Sequence, residues 1–113
     1  MNSNNFVENK KNIISFFKQK KFVKVLKLGK KLLRQNPKDF ELLYIIGLSS
    51  INLEDYIEAE KNFKEIILFK KSADLFYLYG NINKKLNNFD IAINSFNSAI
   101  KLNPNFSEAY NNL

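Results

Sequence analysis

Apolar residues recur every three or four positions along most of the chain, which is the spacing of amphipathic helices. The clearest stripes begin at Leu42 and at Tyr56. Short polar clusters, two of which contain Pro37 and Pro104, separate the stripes and indicate turns. The pattern therefore predicts helices near residues 6–19, 22–35, 40–53, 56–70, 73–86, 89–102 and 107–113.

Three of the predicted helices begin beside a residue that suits the N-cap position, namely Asp39, Ser72 and Ser107. A side-chain oxygen at this position accepts a hydrogen bond from a backbone N–H group that the first turn of a helix leaves unpaired. We therefore expect these three side chains to cap their helices.

Two stretches of the chain align with each other at an offset of 33 residues. Residues of the same class coincide at four pairs of positions: Gly47 and Gly80, Tyr56 and Phe89, Ala59 and Ala92, Phe63 and Phe96. A repeat of this length indicates stacked supersecondary units, each of which buries its apolar face against its neighbours.

With these residues the sequence resembles the tetratricopeptide repeat family. The family's unit of about 34 residues has a large apolar residue, a Leu-Gly pair three places on, an Ala, an aromatic residue four later and a closing Pro. Residues 73–106 fit this pattern at nearly every place, and residues 40–72 fit it with one residue deleted and the closing Pro missing. Residues 6–39 form a divergent unit, and residues 107–113 match the opening of a fourth unit.

The resemblance implies an all-α fold, an α-solenoid of antiparallel helix pairs with about three repeats plus a half repeat. It implies one tetratricopeptide-like domain over residues 1–113. We expect small residues such as Gly80 to let paired helices approach closely, and Phe63 and Phe96 to fill the wedge between pairs. In the divergent unit, Ile13 stands where Gly is expected and Gly29 where an aromatic residue is usual. We therefore expect Ile13 to fill the space beside Gly29.

In this family the first helix of each unit lines a concave groove. Carried over to this chain, that geometry implies a largely apolar surface that would bind a protein or peptide partner. Two other interpretations stay open: the array buries these side chains itself, or a second copy of the chain covers them. The predicted groove residues are Ile14, Phe17, Tyr44, Ile45, Leu48, Ile51, Tyr77, Leu78 and Asn81.

Chaperone adaptors of the family hold a C-terminal carboxylate with Lys, Asn and Arg side chains. The corresponding positions here are Lys10, Ile14, Ile45, Asp74 and Leu78. Because only the lysine is kept, a carboxylate clamp is not predicted.

The charge of the chain is unevenly distributed. There are 18 basic and 11 acidic side chains, and the net charge is +9 in residues 1–39, −2 in residues 40–72 and zero in residues 73–113. A solvated lysine face is the favoured interpretation; the alternative is binding of RNA or an acidic partner. Nucleic acid is not favoured, because this face has one Arg and no evident aromatic residue for base stacking. The basic stripe consists of Lys20, Lys24, Lys27, Lys31 and Arg34.

The composition argues against catalysis by these residues. The chain has no His and no Cys, so the commonest general base, the thiolate nucleophile and the commonest metal ligands are missing. Its three glycines are too dispersed for a phosphate-binding loop. We predict no catalytic, cofactor or metal site.

The second function that the resemblance suggests is a substrate-presenting arm of a transferase. Repeats like residues 103–113 also precede catalytic domains in sugar transferases and sulfotransferase-like proteins. In this alternative the protein would continue past Leu113 into a catalytic domain.

The last expectations concern targeting signals, membrane spans and the C-terminal half repeat. Residues 1–8 are polar and lack the apolar core of a signal peptide. The run from Leu42 to Leu48 is far shorter than the roughly 20 residues that cross a bilayer. We expect a cytoplasmic protein with no membrane partner. The half repeat at the C-terminus would expose Tyr110 and Leu113 and invite either fraying or contact with a second copy.

Overall fold

The computed structural model describes residues 3–113, which form seven helices and no strand. Six helices begin at the predicted residue, and α1 begins three residues earlier than predicted. All end at the predicted residue or within two residues of it. The helices are α1 (Ser3–Lys18), α2 (Phe22–Leu33), α3 (Phe40–Asn52), α4 (Tyr56–Phe69), α5 (Ala73–Lys85), α6 (Phe89–Leu102) and α7 (Ser107–Asn111).

The turns α1–α2, α3–α4 and α5–α6 share one backbone geometry. Lys20, Glu54 and Asn87 occupy equivalent places in these turns, with φ of 61°, 58° and 63°. In each turn the next backbone N–H donates to the carbonyl oxygen five residues back, at 2.8 to 2.9 Å. This is the Schellman ending of a helix, in which a left-handed residue lets the chain reverse. The repeat is thus visible in the backbone as well as in the sequence.

Two of the three predicted N-caps are confirmed. Asp39 accepts a hydrogen bond from the backbone N–H of Leu42 at 3.0 Å, and Ser72 accepts one from Leu75 at 3.1 Å. The prediction for Ser107 was wrong: the N-cap of α7 is Phe106, which has no side chain that can cap.

The helices group into two compact units, one ending at Asp55 and the other comprising residues 56–113. The boundary lies between α3 and α4, inside the second sequence repeat. Each unit is therefore described by itself, and one domain over residues 1–113 stays a prediction.

The first unit buries one apolar cluster among α1, α2 and α3. Gly29 lies inside it: a methyl group added there would approach Ile46 Cγ1 at 3.0 Å and Ile13 Cγ2 at 3.9 Å. Ile13 thus lies beside Gly29 as expected, but Ile46 of α3 fills most of the space. The buried residues of the cluster are Ile13, Val25, Leu32, Leu42, Ile45 and Ile46.

The core of the second unit is built around close contact between α5 and α6. A methyl group added to Gly80 would lie 2.6 Å from Phe96 Cε1, so the ring of Phe96 packs directly on the glycine backbone. Ala92 and Ala99 are buried on the same helix as Phe96, and Phe63 of α4 is buried completely. The small residues thus do allow close approach, and Phe96 occupies the space that Gly80 leaves.

The short helix α7 is attached to α5 through Tyr77. The Tyr77 ring lies 4.9 Å from that of Phe106, centroid to centroid, and its hydroxyl accepts a hydrogen bond from Asn112 Nδ2 at 3.2 Å. Tyr110 and Leu113 are exposed, as expected for an open end. Contact of this end with a second copy stays a prediction.

Candidate functional site

The predicted groove residues of α3 divide between surface and core. Tyr44 is 42% exposed, while Leu48 and Ile51 are half-buried. Ile45, by contrast, is 7% exposed and belongs to the core cluster of the first unit. Its place in the groove was therefore wrong, because its side chain points inward and packs with Ile46 and its neighbours.

The two predicted groove residues of α1 are half-buried. Ile14 and Phe17 both pack against the core cluster of the first unit. The Phe17 ring also makes an edge contact with Phe22, with the centroids 5.9 Å apart. These side chains therefore support the helix packing with part of their surface and leave the rest accessible.

The predicted groove residues of the second unit lie on α5. Tyr77, Leu78 and Asn81 are all half-buried. Tyr77 is engaged within the unit, because its ring packs against Phe96 and Phe106. Leu78 and Asn81, three residues apart on the same helix, complete the set.

Lys10, the one clamp residue that the family pattern preserves, is held by two carboxylates. Its Nζ lies 2.9 Å from Asp39 Oδ2 and 2.9 Å from Glu41 Oε1. Burial lowers the pKa of Lys10, but the hydrogen bonds and charges of Asp39 and Glu41 outweigh burial and raise the pKa above its ordinary value. The lysine therefore joins α1 to the start of α3.

We expect Asp39→Ala to lower the free energy of unfolding by about 1–2 kcal/mol, because it removes both the N-cap of α3 and a partner of Lys10. Asp39→Asn is the matched control: it keeps a capping oxygen, loses the charge and should cost less than about 1 kcal/mol. Urea unfolding followed by circular dichroism measures both. Equal losses in the two variants would show that the cap contributes little.

The basic stripe lies at the surface of the first unit, and all five of its residues are exposed. One of its lysines covers an aromatic ring that the sequence pattern did not place there. Lys24 Nζ lies 4.7 Å from the centroid of Phe16, and Lys21 Nζ lies 6.0 Å from it. The expectation of a face without aromatic residues was therefore wrong, because α1 contributes Phe16 beneath Lys24 of α2.

A cleft of about 490 Å³ opens beside this stripe, where the α1–α2 turn meets the C-terminal end of α3. Helical periodicity did not predict this cleft. Val23 could have been placed on the basic face, because it lies four residues before Lys27 on the same helix. Leu53 could not, because it comes from a distant part of the sequence. The cleft is lined by Lys20, Lys21, Phe22, Val23, Lys24, Lys27 and Leu53.

Residues 3–113 contain no group of three or more His, Cys, Asp or Glu side chains that could hold a metal ion. No helix in the same range is both long and apolar enough to cross a membrane.

Comparison with known families and structures identifies the repeat. A tetratricopeptide repeat model matches residues 40–72 and 73–106, more than half of the chain. A search of curated protein sequences finds no match.

Several solved structures resemble the fold at low sequence identity, and MamA, PcrH and YrrB are among them. A MamA structure has a TM-score of 0.77 at 24% identity, over 85% of this chain and 57% of its own. PcrH in complex with the chaperone binding region of PopB has a TM-score of 0.79 at 14% identity, over 100% of this chain and 98% of its own. YrrB, described as a TPR protein with an unusual peptide-binding site, has a TM-score of 0.77 at 24% identity, over 88% and 52%. This chain thus spans little more than half of MamA and YrrB, and the likeness establishes its all-α helical-repeat fold.

Proposed function

Because the chain belongs to the tetratricopeptide repeat family, we propose that it is a non-catalytic scaffold that binds a peptide or helix of a partner protein. One observation carries this proposal: three large apolar side chains, Tyr44, Leu48 and Ile51, remain at least partly exposed on one helix. PcrH, solved with a binding region of PopB, and YrrB, with its peptide-binding site, support the proposal as relatives in fold that bind peptide segments.

The three side chains form what we call the α3 face. They are spaced four and three residues apart, so they lie along one side of α3 over about 10 Å. That length suits two turns of an amphipathic helix or three residues of an extended peptide. Tyr44 offers a large ring with a polar tip, the kind of side chain that contributes most to protein interfaces.

The second unit offers a smaller surface of mixed character on α5. Leu78 provides apolar contact, and the amide of Asn81, three residues on, can both donate and accept hydrogen bonds to a peptide backbone. We propose that this pair is a separate contact surface of the second unit, more polar than the α3 face of the first unit.

The proposal is tested by selecting peptides from a random displayed library on the native chain. The Kd of a synthetic copy of a selected peptide is then measured by fluorescence anisotropy. We expect Tyr44→Ala combined with Leu48→Glu to weaken binding by about 10- to 100-fold, because the pair removes a ring and places a charge in an apolar contact. The matched control is Ile57→Ala with Leu68→Glu, which makes the same kinds of change at two exposed apolar residues of α4; its Kd should change by less than about twofold.

Two outcomes would contradict the proposal. If both double variants weaken binding equally, the selected peptides recognise apolar surface in general. If neither does, the α3 face is not the binding site. Circular dichroism of each variant, compared with the native chain, separates lost binding from lost structure.

A further inference from the structure

The cleft at the α1–α2 turn combines an apolar floor with a cationic rim. Val23 is 68% exposed and Leu53 is 41% exposed, although both are large apolar residues. Around them stand the four lysines of the lining, and no carboxylate lines the cleft. A side chain that entered the cleft would find apolar contact below and positive charge on its flanks.

The cationic rim continues along α2. Lys24, Lys27 and Lys31 are spaced three and four residues apart and are exposed, so they follow one side of the helix. A second concavity of about 430 Å³ lies on this path, with Lys27, Lys31 and Arg34 in its lining. From Lys20 to Arg34 the basic stripe extends for about 20 Å, which is the length of about six extended residues.

We propose that this cleft and the basic stripe form a second binding surface, for an acidic peptide segment that carries a large apolar anchor residue. The anchor would occupy the cleft over Val23 and Leu53, and the acidic residues would follow the lysines of α2. This surface goes beyond the α3 face, since it shares no residue with that face.

Charge complementarity selects a carboxylate-bearing partner. The 39 N-terminal residues carry 11 basic and 2 acidic side chains, so their field attracts anions. Single-stranded RNA would need open aromatic faces for stacking. At this surface the Phe16 ring is covered by Lys24, and the Phe22 ring is half-buried against Phe17. These rings therefore offer little open surface for base stacking, whereas a carboxylate can pair with the lysine ammonium groups alone.

The small apolar area of the site separates a peptide from an anionic membrane. The strength with which a protein binds a lipid surface scales with the apolar area that it buries there. Here Val23 and Leu53 are the exposed apolar side chains among the lysines of the lining. Two such side chains suit one anchor residue of a peptide better than a lipid layer.

The test uses a fluorescein-labelled peptide of about eight residues, with Asp and Glu at every position except one central Phe, and measures anisotropy against the native chain. We expect Lys24→Glu with Lys27→Glu to weaken binding by about tenfold or more, and Val23→Ser with Leu53→Ser to weaken it by about tenfold. The matched control for net charge is Lys64→Glu with Lys101→Glu, two exposed lysines of the second unit, with an expected change below about threefold.

Three further arms make the test decisive. The same peptide with Ser in place of Phe should bind about tenfold more weakly than the Phe peptide; equal binding would overturn the proposal, because the cleft would then play no part. Oligouridine RNA and phosphatidylserine vesicles should bind more weakly than the Phe peptide at physiological salt. Stronger binding of either probe, lost in the Lys24 and Lys27 variant, would assign the surface to that ligand instead.

The Tyr44→Ala, Leu48→Glu variant should retain full affinity for the acidic Phe peptide. Its loss of a library-selected peptide tests the α3 face, while its retention of the acidic peptide shows that the two surfaces act separately. Loss of both ligands in this variant would overturn the assignment of a separate second surface.

Discussion

Replacing Phe96 with Ala is expected to lower the free energy of unfolding by about 3–5 kcal/mol. Phe96 is 1% exposed, and its ring packs directly on the backbone of Gly80, so its removal leaves a cavity that the two helices cannot readily close. A loss of this size is a large part of the 5–15 kcal/mol that is typical of a folded domain. Urea unfolding followed by circular dichroism measures the effect, and a loss below about 1 kcal/mol would contradict this account of the core.

The reciprocal change, Gly80→Ala, tests the same contact from the other side. The new Cβ would lie 2.6 Å from Phe96 Cε1 and 2.8 Å from Cδ1, which forces the ring or the helix to move. The strain should exceed the roughly 1 kcal/mol that Ala gains over Gly in a helix, for a net loss of about 1–2 kcal/mol. Phe96→Leu replaces the obstructing ring with a smaller side chain. In that background, the loss of unfolding free energy caused by Gly80→Ala should fall by about 1 kcal/mol.

Gly29→Ala is the matched control for Gly80→Ala. Its Cβ would meet the flexible end of Ile46, at 3.0 Å from Cγ1 and 3.2 Å from Cδ1, instead of a ring. A small movement of Ile46 relieves this contact, and the gain in helix propensity offsets its cost. We expect a change within about 0.5 kcal/mol; a loss as large as that of Gly80→Ala would show that ring contact is not what sets the cost.

The second large effect is expected at the buried hydroxyl of Tyr79. Tyr79 is 6% exposed, and its Oη donates a hydrogen bond to Glu60 Oε2 at 2.5 Å, which joins α5 to α4. Glu60→Ala leaves this donor buried without its acceptor and should cost about 1–3 kcal/mol. Glu60→Gln keeps an acceptor and is the matched control, with a smaller expected loss. Equal losses in the two variants would contradict the role assigned to the hydrogen bond.

The same contact gives the chain a pH dependence at the alkaline end. Burial, followed by the hydrogen bond and charge of Glu60, raises the pKa of Tyr79 well above its ordinary value. The folded state therefore holds this proton more tightly than the unfolded state, and stability is lost as pH rises above about 10. The raised pKa of Lys10 acts in the same direction. Tyr79→Phe should reduce the loss of stability between pH 9 and 11, as measured by urea unfolding at each pH, without abolishing it; an unchanged slope would rule out Tyr79 as its source.

Local features of the fold were predictable because they depend on residues close together in sequence. The starts of six helices follow from turn residues and from the spacing of apolar positions. Asp39 and Ser72 cap α3 and α5 because each side chain needs only a backbone N–H three residues away. The prediction failed at Ser107, since Ser107 is itself the first residue of α7 and Phe106 occupies the N-cap position.

The candidate sites were predictable in part. Tyr44, Leu48 and Ile51 could be placed on one face by helical periodicity, and the lysines of α2 could be placed on another. Periodicity could not assign Ile45, because an apolar residue next to the exposed stripe can turn either toward solvent or toward a neighbouring helix. The packing of α1 and α2 against α3 turns the Ile45 side chain inward and buries it in the core cluster.

By itself the sequence determined the all-α repeat, its helices and the charge of its first unit, since spacing, turn chemistry and composition are local properties. Only the tertiary structure decided which atoms meet across helices. It put Ile46 beside Gly29, the Phe96 ring on Gly80, and Phe16 beneath Lys24. It also brought Leu53 to the lysines of the α1–α2 turn and so formed a cleft from residues more than 25 positions apart. Such contacts depend on how helices pack, and packing is set by the shapes of many side chains at once.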